Sequence, residues 1–177
     1  MSQRRWFAMS AIGRDRPGIV ADLAELIFDC DCNLEDSRMT ILGSEFAMLL
    51  LLSGQGEELE RRLAAGCKRL EWEKRLTVFF RPLEETPADV QPPQGTPLEC
   101  VVTGVDKAGI VARVARTISE QGATITDLAS ELRPEPNSGT PMYTMRVRMV
   151  VSREQDPGRV REALERVAAE LRVDLSV

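Results

Sequence analysis

The chain repeats itself, and that repeat limits its possible folds more than any other feature. Residues 13–38 align on residues 104–129 without a gap, at a constant offset of 91, and nine of the 26 positions are identical. The identities include Gly13/Gly104, Asp15/Asp106, Gly18/Gly109, Ile19/Ile110, Val20/Val111 and Asp36/Asp127. Chance likeness between apolar stretches does not readily keep turn glycines in register over such a length, so the chain holds two copies of one unit. Between the copies stand Pro82, Pro87, Pro92, Pro93 and Pro97, half of the ten prolines. Proline at this density blocks helix and central strand and reads as a semi-rigid linker. The expected organisation is a first domain over 1–82, a linker over 83–96 and a second domain over 97–177.

Periodicity supplies the elements of each copy. Trp6 to Ile12 reads as a strand. Ile19, Val20, Leu23, Ala24 and Ile27 follow helical spacing, with a start near Pro17, a favoured first-turn residue. Asn33 to Leu42 is a second strand, and Gly43-Ser44 turns the chain into a third, fully apolar strand through Leu52. Leu59, Leu63 and Leu70 mark a second helix, with Glu58 and Arg62 at i,i+4 on a solvated face. Leu76 to Arg81 closes the unit. The second copy repeats the order: strand Leu98 to Gly104, helix through Ile110, Val111, Val114 and Ile118, and a hairpin of Thr124 to Leu132 and Met142 to Val151. A helix through Val160, Leu164, Val167 and Leu171 and a strand over 173–177 complete it. The order β-α-β-β-α-β, twice, predicts an α+β chain of two ferredoxin-like units.

Composition narrows the chemistry. With no histidine among 177 residues, no Ser-His-Asp or Cys-His nucleophile can be assembled. The common histidine-containing zinc sites are absent for the same reason. The chain is therefore expected to be a non-enzyme without metal or cofactor. Its net charge of -5 makes it a poor partner for nucleic acid or an anionic membrane. Cys30, Cys32, Cys67 and Cys100 do not carry zinc-knuckle or thioredoxin spacing and read as reduced, buried small hydrophobes of a cytoplasmic protein. The start of the chain lacks the apolar stretch of a signal peptide, and the longest apolar run, Phe46 to Leu52, suits a buried strand rather than a membrane span.

Several protein classes share this element order. RNA-recognition domains need aromatics on the central strands and a basic sheet, and neither is evident here. Metal-transport domains need Cys-x-x-Cys in the first loop, which has no cysteine. That loop instead reads Gly13-Arg-Asp-Arg-Pro-Gly-Ile-Val20, with Asn33-Leu-Glu-Asp36 opening the second strand. These motifs resemble the ACT domain, a small regulatory module. The whole chain is similar to tandem-ACT proteins of the glycine cleavage system transcriptional repressor type, through both halves, the proline-rich joint and Pro136-Asn-Ser-Gly-Thr-Pro-Met-Tyr143. The resemblance implies two ACT domains packed side by side, edge to edge, a small amino acid as ligand and a DNA-binding transcription regulator as protein partner. A homodimer is a further expectation, since side-by-side pairing covers sheet edges.

The resemblance places the ligand at the first loop, around Gly13, Asp15, Arg16, Pro17, Gly18, Ile19 and Val20. Asn33 comes from across an ACT–ACT interface. The second copy offers Asp106, Gly109, Ile110, Val111 and Thr124. The physical logic is independent of the resemblance: first-turn amides lack intrahelical acceptors and sit at the positive end of the helix dipole, which suits a carboxylate. Each residue also has a structural reading. Gly18 can serve tight packing, Asp15 can cap or turn rather than meet an ammonium group, and Asn33 can shape a turn. In the second copy Ala108 replaces Pro17 and Thr124 replaces Asn33, so the first loop is the stronger candidate.

Overall fold

The computed structural model describes residues 4–87, 91–105, 108–136 and 138–177. The chain divides into two compact units, Met1–Val90 and Gln91–Val177. The first unit runs β1 (Arg5–Arg14), α1 (Ile19–Asp29), β2 (Cys32–Leu42), β3 (Glu45–Gly54), α2 (Leu59–Lys74) and β4 (Thr77–Pro82). The second runs β5 (Gly95–Val105), α3 (Ile110–Glu120), β6 (Ala123–Pro134), β7 (Pro141–Ser152), α4 (Pro157–Leu171) and β8 (Asp174–Ser176). Each forms one antiparallel four-stranded sheet, in the orders β2-β3-β1-β4 and β6-β7-β5-β8. This is the ferredoxin-like arrangement that the element order predicts.

The helices form because their apolar residues recur on one face. Ile19, Leu23, Leu26 and Ile27 of α1 are buried, as are Leu59, Leu63, Cys67 and Leu70 of α2. They cover Phe7, Met9 and Ala11 of β1 and Phe46, Met48, Leu50 and Leu52 of β3. The second core repeats this with Ile110, Val114 and Ile118 over Cys100, Val102, Met145, Val147 and Met149. In α4, Asp156 caps the helix by accepting the Gly158 N–H at 2.9 Å, and Pro157 occupies the first turn, where its missing N–H is not needed.

Four expectations need correction. Helix α1 starts two residues after Pro17, because Gly18 adopts a left-handed backbone (φ 89°) and ends the preceding turn. Strand β5 begins at Gly95, inside the expected linker, and includes Pro97. Only Val101, Val102 and Thr103 pair with β8, so the other side of β5 is open at Pro97 and its missing N–H breaks no ladder. Glu58 pairs with Arg61 at 2.8 Å rather than with Arg62, whose guanidinium crosses to Asp31 at 2.8 Å and caps the Asp29 carbonyl at the end of α1. Strand β3 is not buried on both faces: Phe46, Met48, Leu50 and Leu52 enter the core, whereas Leu49 is 58% exposed.

The duplication extends to irregular detail. Both units carry a bulge early in the second strand, between Leu34 and Asp36 and between Ile125 and Asp127. All four cysteines are free and buried. No helix among the described residues is long and apolar enough to cross a membrane.

Candidate functional site

The Gly13–Val20 corner is built by the exit of β1 and the entry of α1. Its two glycines serve different needs. A Cβ on Gly13 would lie 2.7 Å from Leu76 Cδ2 and 3.2 Å from the Arg75 carbonyl oxygen, so this position must be bare for β4 to start beside β1. Gly104 meets Val173 in the same way, at 2.8 Å. Gly18 is not crowded: a Cβ there would approach only Arg16 Nη1, at 3.9 Å. Its requirement is the left-handed backbone, shared by Gly109 at φ 96°.

That backbone leaves the helix uncapped. The Asp22 N–H makes the first helical bond, to the Gly18 carbonyl at 2.9 Å, and no side chain caps the end. The Ile19, Val20 and Ala21 amides therefore have no capping side chain. Beside them lies an open hollow of about 270 Å³, lined by Asp15, Arg16, Gly18, Ile19, Val20, Ala21, Met39 and Phe46. Asp15 is exposed and anchors the corner by its main chain, donating its N–H to the Ser44 carbonyl at 2.8 Å. Its carboxylate is not the cap.

Charge at the corner is organised by a residue the sequence reading did not single out. Asp22, in the first turn of α1, accepts from Arg16 Nη2 at 2.6 Å and meets Lys74 Nζ at 3.2 Å. The Arg16 hydrogen bond, helped by Lys74, holds its carboxyl below the usual carboxylate range. An acidic residue in a predicted first turn was a readable signal; the arrival of Lys74 from the end of α2 was not. Met39 and Phe46 line the hollow through tertiary packing alone.

The other candidate residues fall into two groups. Ile19 and Ile110 bury their side chains in the cores and offer only their main chain, whereas Val20 and Val111 are exposed. Asn33 is exposed at the start of β2, where it pairs with Ser53 and lies level with Trp6. Seven strand residues separate that level from Gly13, roughly 24 Å. Within one unit, therefore, Asn33 and the corner stand at opposite ends of the sheet. Thr124 sits likewise at the start of β6, paired with Val150.

At the second corner, Gly109 ends the turn before α3 and the Arg113 N–H bonds to its carbonyl at 3.0 Å, again with no side-chain cap. Asp106 lies outside the described residues. Tyr143 pairs with Gly104 as Phe46 pairs with Gly13, and its hydroxyl is buried with no partner among the described residues. No group of three or more potential metal ligands is clustered among the described residues.

This fold and this corner define the class. Residues 7–81 match the family model of the ACT domain, so the first unit is an ACT domain. The second repeats its element order and strand order, which makes the chain a tandem of the ACT fold. Over its whole length the chain is 24% identical to the glycine cleavage system transcriptional repressor of Escherichia coli (strain K12), of which it covers 91%. It is 29% identical to an unknown protein from Galdieria sulphuraria of known structure, with a TM-score of 0.76, covering 98% of this chain and 97% of the other. A structure provisionally assigned as a glycine cleavage system transcriptional repressor matches at a TM-score of 0.73 and 22% identity, covering 99% of this chain and 96% of that one.

Proposed function

We propose that this chain is a non-enzymatic regulator that binds a small amino acid at the Gly13–Val20 corner and passes the signal to a DNA-binding transcription regulator. One observation carries the ligand reading: three uncapped amides of α1 border an open hollow at a left-handed glycine. Main-chain N–H groups at the positive end of a helix suit a carboxylate. Asp15, whose carboxylate is free of the cap, is available to an ammonium group. Asn33 can join such a corner only on a separate ACT domain brought alongside, with its amide offering both donor and acceptor. The name of the Escherichia coli relative supports the regulatory half of the reading. The missing histidine supports the non-enzymatic half.

Magnitude sets the working range. Glycine has five non-hydrogen atoms, and a ceiling of about 1.5 kcal/mol per atom gives roughly 7.5 kcal/mol, a micromolar Kd at best. Titration calorimetry against a panel of amino acids is expected to give one binder at micromolar or weaker affinity. Binding is expected to be lost in Gly18→Val and weakened in Asn33→Ala. Unchanged binding in both variants would place the ligand elsewhere. A panel with no binder, together with capture of a DNA-binding protein from extract, would favour an adaptor without a ligand.

A further inference from the structure

The face of the first sheet turned away from α1 and α2 has an ordered pattern. Strand register sets three rows across β2, β3, β1 and β4: Asp36–Leu51–Ala8–Arg81, Arg38–Leu49–Ser10–Phe79 and Thr40–Ala47–Ile12–Thr77. Within these three rows the two central columns carry no charge, and the next row on the same face adds Glu45 on β3 and Arg14 on β1. Leu49 (58%) and Ile12 (51%) are widely exposed in the central columns, as is Phe79 (63%) in the β4 column. In the three rows themselves charge stands in the outer columns, as Asp36 and Arg38 on β2 and Arg81 on β4. None of these three makes an ion pair among the described residues, although many surface charges of the chain do.

The second unit provides an internal comparison. Its matching rows read Asp127–Arg148–Glu99, Ala129–Arg146–Val101–Ser176 and Glu131–Thr144–Thr103–Asp174. Where the first unit has Leu51, Leu49 and Ala8, the second has Arg148, Arg146 and Glu99. Glu99 accepts from Arg146 Nη1 at 2.6 Å and from Arg148 Nε at 2.9 Å. One copy of the duplicated sheet thus faces water with a charged, internally paired surface. The other presents contiguous apolar side chains at the same positions, the mark of a surface that is covered.

We infer that this face of the first unit binds the same face of a second copy of the chain, about a two-fold axis that lies between the sheets and runs along the strands. Such an axis sets β2 over β4 and β3 over β1, so each row meets its own reverse. Leu51 then lies over Ala8, Leu49 over Ser10 and Ile12 over Ala47, large against small, as interdigitating sheets require. Asp36 faces the Arg81 of the other copy, and Arg38 faces its Phe79 ring, a cation–π geometry. Both contacts occur twice, as an isologous interface demands. An axis across the strands would instead set Arg38 against Arg38. A face of the Arg146–Arg148–Glu99 kind would lose its hydration against these leucines, so the like face is the better match. Four strands and three two-residue repeats span roughly 19 by 20 Å, about 400 Å² per copy. That is half of a standard interface, which sets a weak, concentration-dependent dimer.

Sedimentation of the full chain tests this over roughly 1 to 200 µM, the range of a weak interface. The expected result is a reversible monomer–dimer equilibrium. Leu49→Arg, the residue type of the matching position in the second unit, is expected to weaken it at least about tenfold. Asp36→Arg and Arg81→Asp should each weaken it, and the double reversal should restore it, which a loss of folding or solubility would not mimic. Circular dichroism and melting verify that each variant is folded. A chain that stays monomeric throughout, or a dimer indifferent to Leu49→Arg, overturns the inference. A dimer sensitive to Leu49→Arg but not rescued by the double reversal overturns the axis. Amino-acid binding is read separately by calorimetry, so failure here and failure of the ligand reading are distinguishable.

Discussion

Gly13→Ala and Gly18→Ala alter two glycines of one motif, and their costs are expected to differ in origin. At position 13 the new methyl would lie 2.7 Å from Leu76 Cδ2, about 1 Å inside the optimal carbon–carbon separation. Leu76 is in the core and cannot swing into solvent. The Arg75 carbonyl, 3.2 Å away, belongs to a turn already held left-handed at φ 54°. Overpacking of this kind costs about 1–3 kcal/mol. Leu76→Val removes the offending methyl at about 1 kcal/mol of its own. The double variant should therefore be more stable than additivity allows, by about 1 kcal/mol. At position 18 the new methyl meets nothing closer than 3.9 Å, and the cost is that of a left-handed backbone, about 1–2 kcal/mol. Leu76→Val should not relieve it, whereas Gly18→Asn should cost less than Gly18→Ala. Urea unfolding followed by tryptophan fluorescence measures both, because Trp6 and Trp72 are the only tryptophans and both lie in the first unit. A neutral Gly13→Ala, or one strictly additive with Leu76→Val, would refute the packing argument.

Two further predictions concern charge. The Arg16 hydrogen bond lowers the Asp22 pKa, so its contribution is present above the ordinary carboxylate pKa and is lost as pH falls through the lowered value. Asp22→Asn should cost about 1 kcal/mol at neutral pH and flatten the acid limb of a urea-midpoint profile; an unchanged limb would deny Asp22 this role. Burial pushes the Cys67 thiol up to about 12 and those of Cys32 and Cys100 up to about 11. Their contribution is complete below pH 9, the unfolded value, and fades as pH rises toward these values. A thiol reagent at pH 8 should label the native chain slowly and the urea-unfolded chain fully; rapid native labelling would contradict the buried placement.

Much of the fold was legible because the determining signals were local. Ile19, Leu23 and Ile27 mark the buried face of α1 by spacing alone, and the repeat of Gly13 and Gly18 at Gly104 and Gly109 marks the same two corners. What escaped depends on the third dimension. The run Phe46 to Leu52 is apolar throughout, so periodicity cannot tell the core residues Met48 and Leu50 from the exposed Leu49; only the sheet, with helices on one face, separates them. The partner of Arg62 was misread because Asp31, 31 positions away, outcompetes Glu58 once α1 and α2 cross. At the candidate site the main-chain logic of the corner was readable. The Asp22–Lys74 pair and the distance from Gly13 to Asn33 were not, since the first follows from the packing of α1 beside α2 and the second from strand register.

A duplicated chain separates what its fold requires from what its copies do. Gly13 and Gly104 are retained where a Cβ would strike Leu76 or Val173, and Gly18 and Gly109 where the backbone is left-handed. These identities are fold requirements, and their recurrence alone carries no functional information. The differences are the informative positions: Pro17 against Ala108, Asn33 against Thr124, Phe46 against Tyr143, and Leu49 and Leu51 against Arg146 and Arg148. The first three pairs surround the corners and the openings of the second strands, where a ligand would be told apart. The last two lie on the outward sheet face, where a covered surface and a wetted one diverge. One backbone used twice is thereby free to divide its tasks, because all of these substitutions except Phe46 against Tyr143 lie outside the cores that both copies share.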